Sequence, residues 1–155
     1  MEGQRPERRL APCASRGRRV RSQCMKTRFS FVQIVIALAG MNYLLAGAGL
    51  LFAPAWFFEN VGPFPPFNRH YSGDVGSFLL PLGIGLLVAA RKPEGHQWLV
   101  AIAAAASVLH GLNHVWDDFV LAGAPSTGAI ADSLPLLVLA VLMTVAYWRL
   151  RRGKG

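Results

Sequence analysis

The side chains with the clearest capacity for chemistry lie in three short parts of this chain of 155 residues. They fall at residues 68–74, at residues 110–118 and at a single aspartate, residue 132. Their guanidinium, imidazole and carboxylate groups can bind an anion, exchange a proton or hold a metal ion. The candidate ligand-binding residues are Arg69, His70, Asp74, His110, Asn113, His114, Asp117 and Asp132.

Three of these residues have a spacing that suits a metal. His110, His114 and Asp117 are separated by four and then three positions, so a helix places them on one stripe. Two imidazoles and a carboxylate can bind a transition metal such as zinc. The pattern is loose, because no glutamate accompanies the histidines as it does in the zinc-protease motif. No cofactor is firmly implied, and a transition metal stays one hypothesis.

Two other hypotheses fit the same residues. In one, the cluster is a small-molecule or proton site, where Arg69 anchors an anionic group and His110 or His114 exchanges protons. In the other, the cluster only stabilises the protein, and the histidines form hydrogen bonds between helices. Arg69 then pairs with one of three carboxylates, those of Asp74, Asp117 and Asp132. The sequence leaves all three hypotheses open.

The elements that position these residues are four long apolar runs. Apolar residues make up 53% of the chain and charged residues only 15%, which leaves too little polar surface for a soluble globule. The runs predict membrane-spanning helices at about residues 31–52, 73–90, 97–116 and 131–150, with Pro135 in the first turn of the last. The predicted fold is therefore all-α, an integral membrane antiparallel four-helix bundle. The alternative that the first span is a cleaved signal peptide is disfavoured, because its apolar run is too long.

The net charge of +8 is distributed in a way that predicts orientation. Fifteen of the sixteen Lys and Arg residues lie in the two terminal segments and the turn at residues 91–92, all on one side of a four-span protein. That side carries +12 and the other −4, which predicts an N-in/C-in topology by the positive-inside rule. The basic charge is thus a topology signal, and no nucleic-acid partner is expected.

The sequence divides into three parts. Residues 1–28 form a basic segment, expected to be a disordered cytoplasmic tail, and an alternative is that translation begins at Met25. Residues 29–150 form the transmembrane domain, and residues 151–155 form a basic C-terminal tail. Without residues 1–24 the inner side would still carry +7, so the predicted orientation does not depend on the tail.

Two motifs resemble a known group of proteins. The segment from Phe67 through Asn68-Arg69-His70-Tyr71-Ser72-Gly73-Asp74 to Phe78, and His110-Gly111-Leu112-Asn113-His114, are similar to small four-helix bacterial membrane proteins of the DoxX-like type. The resemblance covers roughly residues 25–152. It implies a four-helix bundle in the cytoplasmic membrane and no particular reaction. Some relatives serve thiol or quinone metabolism, but no predicted span here contains a cysteine.

The functional expectation follows from the predicted topology, which gathers the polar residues at the outer end of the bundle. We expect a non-catalytic or accessory membrane protein whose outward-facing His/Asp/Arg pocket binds a small or lipid-like ligand. The alternative is a membrane enzyme or redox accessory protein, metal-dependent in one version, that acts at the same pocket. The expected partners are the lipid bilayer and either a second copy of the chain or another membrane protein. The expected location is a bacterial cytoplasmic membrane, as a multi-pass protein.

Overall fold

The computed structural model describes residues 30–63, 65–121 and 127–153, with the side chains at 121 and 127–132 excepted. These residues form helices and turns, and strands are absent from them. The predicted tail at residues 1–28, the side chain of Asp132 and the last two residues lie outside the described part. The helices are α1 (Phe31–Phe52), α2 (Pro54–Asn60), α3 (Arg69–Ala89), α4 (Gln97–Trp116) and α5 (Thr127–Arg151).

Four of these helices have the length and composition of membrane spans. α1, α3 and α5 each contain one apolar window, and α4 forms a span together with the turns on either side of it. All four exceed the 18 residues or so that a hydrocarbon core requires. The expectation of an all-helical, multi-pass membrane protein is therefore confirmed at this level.

The helix ends are set by local hydrogen bonds and by prolines. α1 begins with a capping box, in which Ser30 Oγ accepts a hydrogen bond from the Gln33 amide and Gln33 Oε1 accepts one from the Ser30 amide. It ends before Pro54, which occupies the first turn of α2. α3 begins at Arg69 because Asn68 Oδ1 accepts a hydrogen bond from the Tyr71 amide at 3.0 Å.

Two boundaries differ from the expected spans. α3 starts four residues before the expected Gly73, since the cap at Asn68 adds a turn. α5 starts at Thr127, so Pro135 lies inside the helix and the expectation that it occupies the first turn is wrong. A proline at that depth removes one backbone hydrogen bond from the helix.

Glycines bring α1 and α3 into close contact. A Cβ atom at Gly76 would lie 2.9 Å from the carbonyl oxygen of Gly47, and one at Gly83 would lie 2.8 Å from that of Gly40. The glycine nearer the end of α1 therefore contacts the glycine nearer the start of α3. Because lipid offers helices no hydrophobic reason to associate, such backbone proximity is a principal source of their packing energy.

The buried apolar side chains form one cluster that comes mainly from one half of each long helix. Ile36, Leu86, Val100 and Met143 are each 0% exposed and represent α1, α3, α4 and α5 in it. They belong to the first half of α1 and α4 and to the last half of α3 and α5. We call this end of the helices the core end. The other halves form the open end, where α4 ends and α3 and α5 begin.

Candidate functional site

His110 and His114 continue a stripe of α4 that is buried at the core end. Ala103, Ser107, His110 and His114 follow one another at steps of three or four residues, and so share one face of the helix. Ala103 is 0% exposed and Ser107 is 3% exposed. One turn later His110 is exposed, and His114 is half-buried. Gly111, one turn after Ser107, is still buried, so α4 loses its covering only on the side where His110 lies.

A stripe of α3 is likewise buried at the core end and exposed at the open end. Leu86 and Ala89 on this stripe are 0% exposed, whereas Phe78 and Tyr71 are 77% and 68% exposed. These positions recur at steps of three and four with Val75 and Leu82 between them. Gly76 stays buried against α1 in this half of α3, so the exposure is confined to the side of the helix that carries Tyr71 and Phe78.

The two histidine rings are direct neighbours. Their centroids are 4.9 Å apart and the rings meet edge to face at 61°. One turn further on, Asn113 Nδ2 donates an exposed hydrogen bond to Asp117 Oδ2 at 3.1 Å. The predicted stripe of His110, His114 and Asp117 therefore presents two imidazoles and a half-buried carboxylate along α4.

A buried hydrogen bond lies one turn below His110. Tyr43 Oη and Ser107 Oγ are 2.7 Å apart and link α1 to α4. Ser107 donates its single hydroxyl proton to the carbonyl of Ala103 at 2.8 Å, so Tyr43 is the donor to Ser107. Our sequence reasoning missed this pair. Its one signal was that Ser107 stands three residues before His110 on the same stripe.

The end of α4 is joined to the start of α5. Residues Asp117–Leu121 form a π-helical turn, a feature that is frequent at functional sites. Ser133 Oγ of α5 donates a hydrogen bond to Asp118 Oδ2 at 2.5 Å. Asp118 was not among the predicted site residues, yet it joins the turn after α4 to α5.

The polar residues at the start of α3 form a separate group. His70 Nε2 lies 3.5 Å from Asp74 Oδ2, with both side chains largely exposed, so their attraction is weak and requires a protonated histidine. Arg69 is also exposed. Among the described side chains, no hydrogen bond or ion pair joins Arg69, His70 or Asp74 to α4. The structure thus brings together the predicted residues of α4, and the position of Asp132 relative to them lies outside the described side chains.

Among the described side chains, the proposed metal site has two neighbouring ligands and no third. In the part of the chain that the structure describes, no three His, Cys, Asp or Glu side chains are grouped closely enough to hold a metal ion. The arrangement that is present, two neighbouring imidazoles on α4, is suited to hydrogen bonding with a polar group of a ligand. Comparison with known proteins adds no further assignment, since no family model, curated protein or solved structure matches the chain.

Proposed function

We propose that the chain is a multi-pass protein of a bacterial cytoplasmic membrane, with four antiparallel spans and both termini inside. The apolar character of α1, α3, α4 and α5 supports the membrane location. The distribution of cations supports the orientation, because Arg91, Lys92, Arg149, Arg151 and Arg152 all belong to the core end. In this orientation the open end faces outward. The resemblance to DoxX-like proteins stays a prediction.

We further propose that the protein is an accessory, non-catalytic binder of a small or lipid-like ligand at the open end. The observation that carries this proposal is the exposure of His110, with His114 half-buried beside it, one turn after the buried Ser107. A histidine in contact with hydrocarbon is costly, so an exposed imidazole within a membrane span calls for water or a polar ligand group beside it.

The surroundings of the histidines favour an amphipathic ligand. Its polar group would form hydrogen bonds with the imidazoles of His110 and His114. Its apolar part would contact apolar side chains that are exposed at the open end, a set that includes Tyr71 and Phe78 on α3. Such a molecule could enter sideways from the bilayer between the helices.

The test is native mass spectrometry of protein purified from membranes in a mild detergent. We expect the wild-type chain to retain a non-protein mass that the double variant H110A/H114A loses. His96 provides a matched control, because it is an exposed histidine at the opposite end of α4 whose Nδ1 contacts the carbonyl of Lys92. The H96A variant is expected to keep the retained mass. A wild-type protein without any retained mass, or retention by H110A/H114A, would contradict the proposal.

The alternative function, a membrane enzyme or redox accessory protein, would use the same histidines. The described side chains bring to His110 and His114 neither a third metal ligand nor a cysteine. Binding requires only the hydrogen-bonding groups that are present, and we therefore prefer it to catalysis.

A further inference from the structure

A groove that the proposed function does not use lies on the outer surface of α5 at the core end. It has a volume of about 590 Å³ and contains two arginines and a tryptophan. Its lining residues are Thr144, Val145, Trp148, Arg149 and Arg152. A tryptophan beside arginines at the end of a spanning helix is typical of the membrane–water interface.

Both guanidinium groups lie over aromatic rings. Arg149 Cζ lies 4.6 Å from the centroid of the Phe31 ring, and Arg152 Cζ lies 5.2 Å from that of Trp148. A guanidinium stacked on a ring keeps its N–H edge available for an oxyanion. Among the described residues, neither arginine forms an ion pair with an acid. The groove therefore presents two ring-stacked cations whose N–H donors are not taken up by a described acid.

The groove continues into an apolar one along the α4–α5 surface. The second groove has a volume of about 290 Å³ and shares Thr144 and Val145 with the first. Thr144 Oγ1 donates its proton to the carbonyl of Ala140 at 2.8 Å, so the hydroxyl is satisfied within the helix. The other lining residues are Val108, Leu112, Leu137, Ala140 and Val141.

The length of the combined groove matches one leaflet of a bilayer. Trp148 and Leu137 are eleven positions apart on α5. At 1.5 Å per residue this is about 16 Å, close to half of the roughly 30 Å hydrocarbon core. A molecule that fills both grooves would have an anionic group at the interface and an extended apolar chain directed toward the bilayer centre.

We propose that this groove binds one anionic phospholipid. Arg149 and Arg152 hold the phosphate by charge-assisted hydrogen bonds, and one acyl chain lies along the apolar groove between α4 and α5. A zwitterionic lipid gains less, because its ammonium group adds a positive charge beside two arginines. The proposal is independent of the histidine site, which lies at the other end of the helices.

The experiment measures lipid binding to the detergent-solubilised full chain by native mass spectrometry. The probes are palmitoyl-oleoyl phosphatidylglycerol and its phosphatidylcholine counterpart, added in equal amounts. We expect the wild-type chain to prefer phosphatidylglycerol by about tenfold or more, since each arginine near the lipid surface contributes substantially. The variant R149Q/R152Q is expected to bind the two lipids equally.

The control variant R91Q/K92Q removes the same charge from the same end of the bundle. Arg91 and Lys92 are exposed and do not line the groove. This variant should keep the preference for phosphatidylglycerol, and equal thermal unfolding of the two variants would show that both are folded. A preference that persists in R149Q/R152Q, or that disappears equally in R91Q/K92Q, would overturn the proposal. So would displacement of the lipid by millimolar inorganic phosphate, which would make the free anion the ligand.

Discussion

His110 and His114 are the residues on which the proposed ligand site depends most. Their rings are in contact and His110 is exposed, although Ser107, one turn away on the same face of α4, is buried. In a bilayer an exposed imidazole either faces lipid, at a considerable cost, or lies beside water or a ligand. The distinction can be measured directly at each histidine.

We predict that both histidines react with diethyl pyrocarbonate when the protein is reconstituted in phosphatidylcholine vesicles. This reagent attacks neutral imidazole from water, and peptide mass spectrometry reports the modified fraction at each position. His70, whose side chain is 90% exposed at the start of α3, supplies the reference for a water-accessible histidine. Modification of His70 without modification of His110 would show that the pair faces lipid, and would remove the basis for a ligand site.

A second prediction concerns the hydrogen bond between Tyr43 and Ser107. Substitution Tyr43→Phe removes the phenolic donor, while Ser107 still donates to the carbonyl of Ala103. The free energy of unfolding should fall by about 0.5–1.5 kcal/mol, the usual net value of one hydrogen bond. An SDS titration followed by circular dichroism would measure it.

The control for this substitution is Tyr147→Phe. Tyr147 is a half-buried tyrosine of α5 that packs against the core cluster, and within the described residues its hydroxyl forms no hydrogen bond. We expect no measurable change in its unfolding free energy. Equal losses in the two variants would mean that the Tyr43 hydroxyl contributes nothing specific.

At the scale of the helices, the features that could be predicted were those encoded by neighbours in sequence. Uncharged runs indicated four spans, and the spacing of His110, His114 and Asp117 placed them on one stripe of a helix. α3 starts earlier than expected because the side chain of Asn68 caps it. A single capping residue is a weak signal among the many in a local sequence. Local patterns specify a helix more reliably than they specify its first residue.

The contacts that join helices were not predictable in the same way. Tyr43 and Ser107 are 64 positions apart, and Asp118 and Ser133 belong to different helices. Nothing in either local sequence specifies which partner a hydroxyl or carboxylate will meet. The exposure of His110 also depends on where the neighbouring helices cease to pack against α4, and that is a property of the assembled bundle.

A third prediction tests the glycine contact between α1 and α3. Substitution Gly83→Ala places a methyl group 2.8 Å from the carbonyl oxygen of Gly40, against backbone that cannot yield. We expect a loss of about 1–3 kcal/mol in unfolding free energy, as for overpacked cores. The same SDS titration would record the loss as a lower midpoint.

Gly73→Ala is the matched control because it lies in the same helix with nothing within 4 Å of the added methyl group. Removing a helical glycine there should leave stability unchanged or raise it by up to about 1 kcal/mol. If Gly83→Ala were as harmless as Gly73→Ala, the close packing of α1 on α3 would not exist in the membrane.

At the scale of the whole molecule, the two ends differ in both packing and charge. The core end contains the buried cluster and the exposed cations near residues 91 and 149. The open end contains the acids at residues 59, 74, 117 and 118, and the exposed histidines. Because positively charged segments are retained in the cytoplasm, this asymmetry predicts which end faces outward, and with it the side from which the histidine site is reached.

The final prediction is the orientation itself, measured by cysteine labelling in intact cells. Cys13 and Cys24 are first replaced by serine, and single cysteines are then placed at two exposed positions, Glu59→Cys near the open end and Gly95→Cys at the core end. A maleimide that cannot cross the membrane should label Glu59→Cys in intact cells and Gly95→Cys only after permeabilisation. Labelling of Gly95→Cys alone in intact cells would reverse the topology. The histidine site would then open to the cytoplasm, and any ligand it binds would come from that side.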